Sequence, residues 1–441
     1  MLTYSCKNTK TTKFFGVIVI YTSEVTNRLK YTLDFVFQQY FGLEYELTDN
    51  PNLDIQPENI YINYSNISIN NAIQIFQDEL LFQDNIQQQS ILISHIEDIP
   101  VFFQTESTSV DVPFDIFSCI FYLLSRYEEY LLHQQDEHGR YVSSNSILAH
   151  KAFQFSPIVE IWLMYLKQKL LTINPNLPFK KYEVEFLPTF DIDSAFRFLG
   201  RNWWKHLPNL SNKNAWKVLL EKENDPFDIY AELLLLLKEE KLSSIFFFLL
   251  NDDGDRNSKV SPTSKHLINL IQQISKQTEI GIHPSYYSNR DKLLIQEKNH
   301  LEKIAQQTIN KSRQHFLKLK FPDTCRVLID ANIQADYSLA YPNISGFRAG
   351  ISRPFFFFDL PNNQPTNLQL FPTCWMDATY EYYNKKSTDE IKIDFSLIYQ
   401  QVKKINGSFV GIFHNDLLSQ QPNKELFKYI INQFKKDILT Q

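Results

Sequence analysis

From about residue 181 to the end, short apolar runs alternate with amphipathic helical patterns, and this alternation limits the fold more than any other feature of the 441-residue chain. The runs "YEVEFLPTFDID", "SSIFFFLLND", "EIGIHPS", "KSRQHFL", "ADYSLAY", "LQLFPTCWMD" and "GSFVGIFHND" read as strands. Between them, helical spacing marks "DIYAELLLLLKEEK", residues 261–276, residues 291–308, a short helix at "TCRVLIDA", "EIKIDFSLIYQQVKKI" and residues 422–438. About seven strands in βα order predict an α/β fold with a mainly parallel sheet and helices outside, as a barrel or an open sheet.

The N-terminal part is mixed. The strand-length run "FFGVIVIYT" precedes the helical pattern "NRLKYTLDFVFQQYFG", then the short strands "IYINYS" and "ILISH". Two further helices are expected at "PFDIFSCIFYLLSRYEEYLLH" and "PIVEIWLMYLKQKLLTI". The breaker Asn174-Pro175-Asn176-Leu177-Pro178 predicts a boundary, with a smaller α/β domain over 1–178 and the barrel over 179–441. Glu128 and Glu129, and the group Asp136, His138 and Arg140, read as surface charge and turn residues.

Composition excludes some classes. A formal charge of −6 with no basic stripe argues against nucleic acid. The run at 14–22 is too short to span a bilayer and no small-residue cleavage site follows it, so a cytoplasmic location is expected. Cys6, Cys119, Cys325 and Cys374 show no metal or disulfide spacing and are expected as buried thiols. "NDDGDR" at 251–256 lacks the bidentate Glu of a calcium loop and reads as a solvated turn. The "FFFF" run at 355–358 reads as packing, with any exposed ring free to stack on a sugar.

Chemistry gathers at the predicted strand ends. Asp191 and Asp193 end the first strand, His283 the third and Asp377 the sixth, His414 ends the last, and Arg313 and His315 lie on the fourth. In parallel barrels that rim carries the active site. Side chains alternate along a strand, so Asp191 and Asp193 share a face. Adjacent carboxylates repel unless one binds a cation or shares a proton. One on a divalent ion and the other taking a proton from water satisfies both, with His283 completing the ligands and His414 placed to protonate a leaving group.

These residues resemble the polysaccharide deacetylases, the carbohydrate esterases with a chitooligosaccharide deacetylase homology domain. "TFDID" resembles the family's first motif, which implies Asp191 as catalytic base and Asp193 as metal ligand. "GIHPSYYS" matches the histidine motif at His283, and "GIFHND" resembles the last motif, implying His414 as general acid. "SRQHFL" falls where an arginine motif is expected, so Arg313 orients the base, with Arg348 of "GFRAG" as rival and otherwise a substrate contact. Asp377 and Tyr287 are further expected substrate contacts. The whole chain is similar to a Bacteroidetes group with an N-terminal domain of unknown function. The implied fold is a distorted (β/α)7 barrel, and the implied reaction is hydrolysis of a carbon–nitrogen bond in an acetylated sugar or glycan. The implied cofactor is a divalent metal, zinc first, cobalt or nickel as alternatives.

One position departs from the pattern. The second histidine of the motif is replaced by Tyr287, and a phenol with a pKa near 10 is a poor zinc ligand. Either His315 supplies the third ligand, or the metal is lost and the barrel binds a glycan or a protein partner without cleaving. A small cyclic or linear amide is the alternative substrate.

Overall fold

The computed structural model describes residues 16–52, 55–150, 153, 155–201, 212–251, 254, 256, 258–288 and 292–438. The chain divides into two compact units that interleave along the sequence, one formed by 1–83, 91–119 and 162–181 and the other by 84–90, 120–161 and 182–441. The division therefore differs from a single cut after residue 178. Segment 120–161 belongs with the barrel because its acids find partners there: Glu160 accepts from the Ser352 backbone N–H at 2.7 Å, and Glu129 accepts from both ends of Arg348.

The first unit is built on a parallel sheet of β1 (Ile18–Thr22), β2 (Tyr45–Thr48), β3 (Ile60–Tyr64) and β4 (Ile73–Gln74), in the order β2-β1-β3-β4. Both β1 and β3 are buried along their whole length, as parallel strands covered on both faces require. A small antiparallel pair, β5 (Ser94–Ile96) and β6 (Ile99–Val101), lies in the same unit. The helix Asn27–Leu33 starts where the Thr26 hydroxyl accepts from the Leu29 N–H, and it continues as a π-helical stretch to Phe41.

The second unit holds β7 (Glu185–Ile192), β8 (Ile245–Phe248), β9 (Glu279–Ile282), β10 (Lys311–Ser312), β11 (Ala335–Leu339), β12 (Phe355–Asp359), β13 (Gln364–Pro372), β14 (Trp375–Met376) and β15 (Ser408–His414). Their order is β12-β13-β11-β10-β9-β8-β7-β15-β14. β13 and β14 are parts of one segment interrupted only by Thr373 and Cys374. The first part pairs with β11 and the second with β15, both parallel. Thr373 N–H donates to Leu339 O and Cys374 N–H to Val410 O, each at 3.1 Å. One kinked segment thus pairs with both β11 and β15 and closes a ring of seven parallel strands, with β12 outside it. Inside it, Leu187, Ile245, Phe247, Ala335, Tyr337, Phe371 and Val410 form one cluster, with contributions from five strands.

β12, the "FFFF" run, pairs antiparallel outside this ring. Phe355, Phe357 and Phe358 are buried, so these rings are core and do not offer a stacking face. Gly281 sits where a Cβ would come within 2.5 Å of the Phe247 ring and 2.9 Å of the Lys311 carbonyl, so only glycine lets β9 lie this close to its neighbours.

Two charge assignments need correction. Glu128 and Glu129, expected on the surface, are 7% and 6% exposed. The Arg126 guanidinium, itself fully buried, donates to Glu129 at 2.9 Å and to Glu128 at 3.0 Å, and Arg348 donates to Glu129 at 2.6 and 2.9 Å. Acids placed this deep need countercharges, and here two arginines supply them. Of the "NDDGDR" turn, residues 252, 253 and 255 lie outside the described residues. Cys119, Cys325 and Cys374 are buried thiols, and Cys6 lies outside the described residues. No helix among the described residues is long and apolar enough to cross a membrane.

Candidate metal centre and active site

The carboxyl ends of the barrel strands face a cavity of about 140 Å³ lined by Asp191, Asp193, His283, His315 and His414, among others. Asp191 is the penultimate residue of β7 and Asp193 follows its end, and both line the cavity. They then divide by partner.

Asp191 belongs to an arginine. The Arg313 Nη1 donates to Asp191 Oδ1 at 2.9 Å, and its Nε donates to the Tyr337 carbonyl at 3.0 Å. Arg313 is fully buried, with its guanidinium 4.6 Å from the centre of the Phe247 ring. A planar, permanently charged fork held at three sides gives Asp191 one orientation.

Asp193 belongs to the histidines. Its Oδ1 lies 3.0 Å from His283 Nε2, and its Oδ2 lies 3.5 Å from His315 Nε2. The three potential ligand atoms all fall within 4.8 Å of one another. His283 Nδ1 is 2.6 Å from the Arg313 carbonyl, which can only accept, so that nitrogen carries the hydrogen. In the neutral ring the Nε2 lone pair therefore faces a carboxylate oxygen, and Asp193 Oδ1 is a buried atom with no hydrogen-bond partner among the described residues. Two such lone pairs call for positive charge between them, either a proton on Nε2, which makes an imidazolium–carboxylate pair at 3.0 Å, or a metal ion.

A divalent ion fits that demand. Ligand atoms around a tetrahedral zinc at ~2.1 Å stand about 3.4 Å apart, the order of the spacings seen here. Burial by itself would raise the Asp193 carboxyl, but the imidazoles of His315 and His283 outweigh it and hold the group well below its ordinary value. His283 moves the other way: burial disfavours its charge, yet Asp191 and Asp193 raise it above the ordinary imidazole value. The Arg313 carbonyl behind His283 is the kind of outer partner that fixes a ligating imidazole.

His414, at the end of β15, points into the same cavity from the opposite side. Its Nδ1 lies 2.6 Å from Asp377 Oδ1, and its backbone N–H donates to Asp377 Oδ2 at 2.7 Å. Burial lowers the imidazole, and the Asp377 carboxylate more than reverses this, raising it well above the ordinary value. Its Nε2 is 4.0 Å from Asp193 Oδ2. A protonated His414 is thus held with its free nitrogen near the candidate ion.

Among the residues expected from the sequence, Asp191, Asp193, His283, His315 and His414 come together in the cavity, with Arg313 immediately behind Asp191. His315 does so from a short helical turn, His315–Leu317, beyond β10 rather than from a strand. Three expected substrate contacts are placed otherwise. Arg348 is 1% exposed and bound to Glu129 and the Ala340 carbonyl. Asp377 has both oxygens engaged by His414 and the Ala378 N–H. Tyr287 is 47% exposed and is not among the residues lining the cavity, because the chain turns away after β9.

The structure also adds residues that sequence reasoning passed over. Arg140 lines the cavity, paired to Asp136 at 2.7 Å, although this group reads as a surface turn in the sequence. Asp416, two residues beyond His414, and the exposed rings of Tyr382 and Tyr383 line it as well. The aromatic cluster "TYEYYN" was visible, but nothing in its spacing tied it to the strand ends.

Comparison with known proteins adds a match and several partial likenesses. The model of a family of unknown function, DUF7033, matches residues 18–175. No curated protein matches the chain. Among solved structures, a putative polysaccharide deacetylase from Mycobacterium smegmatis is 14% identical, over 58% of this chain and 85% of that one, with a TM-score of 0.38. The Puue allantoinase is 13% identical, over 59% and 87%, with a TM-score of 0.39. A CE4 family pseudoenzyme from Bacillus anthracis is 9% identical, over 58% and 62%, with a TM-score of 0.30. The chemistry of the site rests on its own geometry.

Proposed function

We propose that the barrel is a metal-dependent hydrolase of non-peptide carbon–nitrogen bonds that removes an N-acetyl group from a sugar or glycan. The observation that carries this reading is the division of labour at one rim: a ligand set of Asp193, His283 and His315, a carboxylate, Asp191, fixed by Arg313, and an imidazole, His414, charged by Asp377. Zinc, with cobalt or nickel as alternatives, would be held by that set and would polarise the acyl carbonyl and acidify the attacking water.

The remaining steps belong to the protein. Asp191 accepts the proton from the attacking water while Arg313 keeps the carboxylate turned towards it. As the carbon–nitrogen bond breaks, His414 gives its proton to the departing nitrogen, and Asp377 stabilises the imidazolium until that moment. The exposed rings of Tyr382 and Tyr383 offer an apolar face for a pyranose ring.

The test is a release assay. Metal-loaded protein is incubated with N-acetylated oligosaccharides and, in parallel, with small cyclic and linear amides. Acetate and free amine from the sugars, abolished by chelation and restored by added zinc or cobalt, is the expected result. Turnover of the amides alone keeps the machinery and replaces the substrate. No turnover of either class by metal-loaded protein contradicts hydrolysis and leaves a glycan-binding barrel.

A further inference from the structure

The ligands His283 and His315 are held in different ways. The outer nitrogen of His283 is anchored to the Arg313 carbonyl, whereas His315 Nδ1 is buried with no hydrogen-bond partner among the described residues. No hydrogen bond holds the outer nitrogen of the His315 ring, which packs on Phe316 at 4.6 Å and on His283 at 5.0 Å between centroids, so its place depends on Phe316 and the backbone that carries both. That backbone is strained: Phe316 has φ 60° and ψ 14°, and Leu317 has φ 50°, left-handed values that non-glycine residues adopt only when their surroundings impose them.

The contacts on Phe316 come from Tyr286 and from segment 136–140, far outside the barrel strands in sequence. Arg140 Nη1 donates to the Phe316 carbonyl at 2.7 Å, and Arg140 is itself fixed by Asp136, whose Oδ2 accepts from Nε at 2.7 Å. The His138 ring packs on Phe316 with centroids 4.8 Å apart, and the Tyr286 ring meets Phe316 edge-on at 5.3 Å. Tyr286 and His138 are joined through the Tyr286 hydroxyl and His138 Nδ1 at 3.0 Å. One carbonyl and one ring, both of the residue next to a candidate ligand, are gripped by a single short segment.

We propose that Arg140, with Asp136 and His138, is a positioning element that completes the metal site by holding His315 in ligating geometry. This rests on the metal-dependent reading of the cavity. Arg140 acts on the metal site through the Phe316 backbone, and its Nη2 also donates to the Tyr383 hydroxyl at 3.2 Å on the cavity wall. It accounts for a charged group kept 3% exposed at the cavity wall, and for the association of segment 120–161 with the barrel unit.

The test reads metal affinity by competition with a chromophoric chelator, together with the visible absorption of the cobalt-loaded protein. Arg140→Met is expected to weaken zinc binding about tenfold or more, the scale of an outer-sphere loss, and to change the cobalt spectrum. Arg140→Lys, which keeps the charge but cannot span the Asp136, Phe316 and Tyr383 partners, falls between that variant and the unaltered protein. Thermal unfolding of the metal-free variants shows whether each is folded. If Arg140→Met does not fold, Arg140→Lys decides by the same criterion. Folded variants with unchanged affinity and an unchanged cobalt spectrum overturn the proposal while leaving the metal site intact. Unaltered protein that binds no metal overturns the metal reading itself, and the positioning role with it.

Discussion

Asp191→Asn is expected to keep its metal and lose turnover by about a thousandfold, the middle of the range for removing a general base. Asp191 is not in the ligand set, since its nearest imidazole contact is His283 Nε2 at 3.9 Å and its Oδ1 is taken by Arg313. An asparagine still accepts the Arg313 hydrogen bond, so the local geometry survives. The fully buried guanidinium, however, loses its compensating charge, and the unfolding midpoint is expected to fall as well. Circular dichroism and metal content at the assay temperature therefore accompany the kinetics. A folded, metal-loaded Asp191→Asn protein with ordinary kcat removes Asp191 from the reaction.

The second large effect concerns pH and Asp377. His414 is raised above the ordinary imidazole value after burial, acting the other way, has been overcome by the Asp377 carboxylate. The acid form of His414 is then present at neutral pH and is lost only as pH rises through that raised value. Asp377→Asn removes the charge that contacts His414 directly, so the alkaline limb of kcat moves to lower pH. In the variant burial still disfavours the imidazolium, and only Asp193 and Asp191 remain to favour it. A turnover loss that is largest at pH 8 and shrinks towards pH 6 is the expected profile.

Stability follows the same sign. A raised folded-state value contributes stability fully present below the unfolded imidazole value and lost as pH climbs through the folded one. The stability gap between unaltered protein and Asp377→Asn is therefore widest in mild acid and narrows at high pH. An alkaline limb that stays in place in Asp377→Asn contradicts His414 as the acid.

Much of the barrel was legible because the signals are local. The last helix, read at 422–438 from spacing, runs Gln421–Ile438, and the helix read at 261–276 runs Lys265–Ile274. Asp191, His283 and His414 could be read because a strand end fixes which way a side chain points. What failed depends on distant parts of the chain. Glu129 looks like surface charge until Arg348, 219 positions later, is brought against it. Barrel closure hangs on a kink at Thr373 and Cys374 that no periodicity marks. In the sequence His315 is a candidate ligand because it lies on the next strand along and has no other role, yet it sits on left-handed backbone beyond that strand, with Arg140, 176 positions earlier, on the next carbonyl.

Whether Asp193, His283 and His315 hold a divalent ion is read from metal content per chain in unaltered protein and in His283→Ala. Near-stoichiometric zinc, cobalt or nickel in the former and its loss in the latter, with both proteins folded, is the expected result. No bound ion in the unaltered protein, even after incubation with excess metal, or equal metal in both, would contradict it.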